Sequence, residues 1–108
     1  MSVAAAEHPL RQLRQAAERS ARLAAAAAGG DWDEVTRLEA ERRPLLEAAF
    51  AAGAPHDAAA AADLIRQILD ADRVVRELAG RARGVVAGEL AALHRGRRMN
   101  KAYRDAEQ

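Results

Sequence analysis

The chain has 108 residues, 17 Lys+Arg against 16 Asp+Glu, and no cysteine. That length holds one small domain. The near balance of charge points away from nucleic acid and from a membrane surface as partners, and the missing cysteine excludes disulfides, a thiol nucleophile and thiolate metal sites. Half of the residues are hydrophobic, but only 3% are aromatic. Much of the apolar content is alanine, which favours helix yet buries little surface, so the core is expected to be thin.

No stretch approaches the roughly 18 consecutive apolar residues of a membrane span, so membrane insertion is not expected. The opening MSVAAAEHPL has neither a basic n-region nor an apolar h-region, which argues against a signal peptide. A first helix is expected over about 9–28, with Pro9 in its first turn and Leu10, Leu13, Ala17, Ser20, Ala24 and Ala27 at spacings of three and four. Gly29 and Gly30 end it. Asp31 then suits an N-cap, with Glu34 placed as in a capping box. A second helix is expected over about 32–52, carrying Val35, Leu38, Leu45, Leu46 and Ala49 on one side. Pro44 lies inside it and is expected to kink or interrupt it near Arg42 and Arg43. Trp32 reads as a hydrophobic plug at the glycine corner.

The segment from Gly53 to His56 is the next turn, and Asp57 caps a long third helix expected over about 57–95. Short connections make these helices antiparallel neighbours, and no strand-like alternation occurs. The fold class is therefore all-α: a helical hairpin or bundle with two helices of roughly 20 residues, a long third helix, and a short C-terminal helical tail over 97–108. Projected at about 100° per residue, Leu64, Ile68, Val75, Leu78, Ala82, Val85, Val86, Leu90 and Leu93 share one arc of the third helix. That stripe continues past about Gly80, where the second helix has run out. Its far part needs a cover: the tail folding back, a second copy of the chain, or another protein. Gly96 reads as a hinge, and Met99 and Tyr103, four residues apart, would face one side of a C-terminal flap.

The remaining signals are weaker. Arg95, Arg97, Arg98, Lys101 and Arg104 form a basic run with one interleaved aromatic, Tyr103. Such a run complements the helix macrodipole, with an acidic patch on a protein partner as its functional reading. Gly80, Gly84 and Gly88 project opposite the stripe, toward solvent. Arg42 projects onto the apolar side of the second helix and needs a carboxylate there, Asp70 or preferably Asp72. Glu89 falls in the stripe and wants a basic partner. His8, His56 and His94 are scattered, so no metal site is expected. Ser20 and Thr36 have no base beside them, and no cofactor or catalytic residue is expected; the reading is not an enzyme.

Three segments carry a family resemblance: GGDWDEVTRLEAERRPLL, LIRQILDADRVVRELA and ELAALHRGRRMNKAY. In that order the chain resembles the flagellar export chaperones of the FliT type, over about Leu10 to Tyr103. The resemblance implies a cytoplasmic chaperone with a helical hairpin and a C-terminal helix able to cover its binding surface. It implies the filament-cap protein as client, kept unassembled and delivered to the export ATPase complex, and in some members a transcriptional regulator of flagellar genes. A client helix would lie against apolar side chains of the second and third helices. The residues expected to bind it are Leu38, Leu45, Leu46 and Phe50, with Val75, Leu78, Val85, Val86, Leu90 and Leu93; Met99 and Tyr103 belong to the flap. The alternative is a helical dimerisation, scaffold or regulatory module, and a homodimer fits either reading.

Overall fold

The computed structural model describes residues 2–53 and 57–107, with side chains described from residue 10 onward. It contains three helices: α1 Ser2–Ala28, α2 Trp32–Ala51 and α3 Ala58–Glu107. Among the described residues no strand occurs. α1 begins at Ser2 instead of near residue 9, because the alanines at 4, 5 and 6 favour helix enough to carry it through Pro9. The α1–α2 corner is a Schellman turn. Asp31 N–H donates to Ala26 O at 2.9 Å and Gly30 N–H to Ala27 O at 3.0 Å, and Gly30 takes φ +74°, the left-handed geometry that glycine adopts without a Cβ penalty.

Asp31 also starts α2. Its Oδ1 accepts from Glu34 N–H at 3.2 Å, half of the expected capping box. The reciprocal half does not form, because the Asp31 N–H is taken by Ala26 and the Glu34 carboxylate turns to Arg37. That contact with Arg37 holds the Glu34 carboxyl below the usual carboxylate range. α2 runs unbroken across Pro44, so the expected interruption does not occur. The ring removes one hydrogen bond to the carbonyl of Ala40, and the flanking turns hold the helix together. α2 ends at Ala51, and Gly53 follows with φ +89°. Asp57 caps α3 as expected, accepting from Ala60 N–H at 2.9 Å; residues 54–56 of the turn, His56 among them, lie outside the described residues.

The chain divides into two units, Met1–Leu78 and Ala79–Gln108. The first has two apolar clusters. One joins Leu10, Leu13, Ala16 and Ala17 of α1 to Ala49 of α2 and to Ala61 and Ile68 of α3. The other joins Leu23 and Ala27 to Val35 and Leu38, with Trp32, Val75 and Leu78 packed against it. Trp32 thus sits where the corner needs a plug. Alanine forms half of the first cluster's buried α1 contribution, which lets the helices approach closely while contributing little burial per residue.

The second unit is the remainder of α3 alone. The helix is continuous through Gly96 to Glu107, so neither the expected hinge at Gly96 nor a separate tail is present. Met99 and Tyr103 stand on α3 itself, 71% and 73% exposed, and do not form a folded-back flap. Once a helix is propagating, each added residue gains a hydrogen bond, and one glycine costs about 1 kcal/mol. That is too little to stop a segment rich in alanine, leucine and arginine.

Candidate functional site

Within the first unit the polar feature reaching furthest into the packing is a relay across all three helices. Arg42 Nη1 of α2 donates to Asp72 Oδ1 of α3 at 2.7 Å and to Ser20 Oγ of α1 at 2.9 Å. Ser20, fully buried, donates in turn to Ala16 O at 2.8 Å. The Arg42–Asp72 pair is the one expected from the sequence. Ser20 as its third member was not. The signal for it was a lone hydroxyl in an otherwise apolar row of α1, directly across from an arginine that also faces inward. Each charge of the Arg42–Asp72 pair meets its counterpart, and the shared guanidinium ties α2 to α1 and to α3.

The residues expected to meet a partner fall into three groups. Leu38 is 1% exposed and belongs to the second apolar cluster, because it lies one turn from Val35 on the side that faces Leu23. Its burial corrects the expectation of a surface role. Leu45, Leu46, Val75 and Leu78 are half-buried and pack on the clusters, so they divide between bundle and surface. Phe50, 63% exposed, is open; with Leu46 it borders a shallow depression on α2 that Glu39, Arg42, Arg43 and Glu47 complete. The sequence reading missed two exposed apolar residues, Leu69 at 59% and Val74 at 41%. Both lie off the stripe, and isolated apolar side chains on a surface carry no site by themselves.

The second unit holds the rest. Val85, Val86, Leu90 and Leu93 are 61%, 54%, 52% and 57% exposed. Val86, Leu90 and Leu93 recur at spacings of four and three on one side of α3; Val85 lies about 100° round from Val86, Tyr103 lines up with Val85, and Met99 lies further round, opposite Leu90. Gly80, Gly84 and Gly88 have open space where a Cβ would stand, so they make no close-packing surface here. Glu89 lies between Val85 and Leu93, exposed and without an ion pair among the described residues. A row of four aliphatic side chains in water is a surface that gains by being covered.

Among the described residues no group of His, Asp or Glu is arranged to hold a metal ion, and no helix is long and apolar enough to cross a membrane. No curated protein and no solved structure matches the chain significantly. The family model described as flagellar protein FliT matches residues 10–105, a span that takes in the glycine corner, the Arg42 relay and the open stripe of α3. By that match the chain belongs to the FliT family of flagellar export chaperones.

Proposed function

We propose that this chain is a cytoplasmic chaperone that binds the filament-cap protein through the exposed side of the second half of α3. It keeps that client unassembled and hands it to the export ATPase complex. The observation that carries the reading is the uncovered row Val85, Val86, Leu90 and Leu93 in a member of an export-chaperone family. Burying a leucine-sized side chain contributes roughly 1.5–3 kcal/mol, before the cost of ordering the partner. A few such contacts give affinity that is useful and still reversible, which delivery requires. An extended or helical client segment with its own apolar row is the matching shape.

The same row would serve a second copy of the chain, and a scaffold that only dimerises is the rival reading. Size-exclusion chromatography with light scattering, run on the chain alone and mixed with the cap protein, separates the two. A complex of chain and client, with any homodimer dissolved by the client, is the expected result. A tight homodimer that the cap protein leaves unchanged would refute the chaperone reading and favour the scaffold. A transcriptional regulator of flagellar genes, if it binds, would compete for the same face.

A further inference from the structure

The exposed side of α3 changes character along its length. Val86, Leu90, Leu93, Arg97, Lys101 and Arg104 follow one another at spacings of four, three, four, four and three, which places them in a single row on the helix surface. The first three are apolar and the last three are basic. No acidic residue lies between Glu89 and Asp105, and Arg97, Lys101 and Arg104 are exposed with no ion pair among the described residues. Another row about 130° round the helix, Val85, Ala92, Met99 and Tyr103, stays largely apolar to the end.

We propose that this face recognises an amphipathic helix of a protein partner whose apolar row ends in a cluster of acidic residues. The apolar part covers Val86, Leu90 and Leu93, and the acidic end lies over Arg97, Lys101 and Arg104. The inference rests on the client-binding reading and adds the chemistry and polarity of the segment that docks. Three uncompensated cations in line with an apolar row make a register mark. A partner helix shifted along the face, or reversed end for end, trades three cations for the single Arg83 that precedes Val86 in the row while keeping its apolar contacts, which is how charges select alignment more than strength.

An anionic membrane is the other surface a basic amphipathic helix could fit, but the arrangement differs from that case. A helix lying on lipid separates apolar from basic around its circumference along the whole length. Here the two are separated along the axis within one row, so the basic end would face the same side as the leucines. Glu89 beside Leu90 and Leu93 would also meet anionic headgroups unfavourably, whereas a protein helix can set a lysine or arginine opposite it.

The test uses the full chain and two synthetic amphipathic helical peptides of roughly 20 residues, long enough to run from Val85 to Arg104. Both carry the same leucine row; one ends in three glutamates and the other in three lysines. Fluorescence anisotropy at low salt is expected to give about tenfold tighter binding of the glutamate-ended peptide, with the difference shrinking as salt screens the exposed pairs. The triple substitution Arg97→Glu, Lys101→Glu, Arg104→Glu is expected to reverse the preference, and the triple Gln variant to abolish it. All three side chains are exposed, and far-UV circular dichroism checks that helicity is kept. Equal binding of both peptides, or preference for anionic phosphatidylserine vesicles over either, overturns the inference. The client-binding reading fails separately, if the cap protein does not bind while the peptide preference persists.

Discussion

Arg42 reaches Asp72 and Ser20 at once, so a single guanidinium links α2 to both of its neighbours. Its side chain is 14% exposed and that of Asp72 28%, enough burial to make an unpaired charge costly and enough solvent to moderate the cost. Asp72→Asn is expected to lower stability by about 1–3 kcal/mol, the range for stranding a partly buried polar or charged group. Asp70 offers the control. Its pair with Arg73 is mostly in water, with side chains 60% and 64% exposed, and Asp70→Asn is expected to change stability by less than about 1 kcal/mol. Urea titration of both variants measures the difference; equal effects would mean that the relay does not hold the helices. Glycines divide in the same way. Gly30 has φ +74°, so Gly30→Ala forces a left-handed alanine and is expected to cost about 1–2 kcal/mol. Gly88 is helical and faces open space, so Gly88→Ala is expected to stabilise α3 by about 1 kcal/mol, read as higher helicity by circular dichroism on heating.

α3 is one helix with two kinds of environment along it. Ala61 and Ile68 are buried in the first cluster, whereas every residue from 83 to 107 is exposed. Tertiary packing supplies most of the stability of protein helices, so the second half depends on propensity and propagation, weakened by Gly84, Gly88 and Gly96. Native-state hydrogen exchange is expected to show amides 86–105 exchanging at least tenfold faster than amides 65–75. Uniform protection along α3 would contradict this. Much of the element pattern was legible in the sequence. The caps at Asp31 and Asp57, the Gly29–Gly30 corner and the partner of Arg42 all follow from short-range chemistry or helix register. The C-terminal boundary was not, because Gly96 reads as a break only when its cost is taken apart from the helix-favouring residues around it. Leu38 was misplaced for another reason: periodicity shows that a side chain belongs to the apolar side, but not whether a neighbouring helix or solvent faces it.

At the scale of the molecule, the proposed client surface is the exposed apolar row of the second unit. The Arg42 relay and the alanine-rich clusters of the first unit do not include Val85, Val86, Leu90 or Leu93. That independence makes them removable. Val85→Asp or Leu90→Asp places a carboxylate in the row, where covering it would leave a buried charge without a partner. The unbound fold is expected to be undisturbed, since both side chains are more than half exposed. The most direct measurement is calorimetric titration of the chain with the C-terminal segment of the same organism's filament-cap protein, for the natural sequence and these two variants. Low-micromolar or tighter binding is expected, weakened by at least about tenfold in each variant at unchanged helicity. No binding by the natural sequence, or binding that both variants leave unaltered, would contradict it.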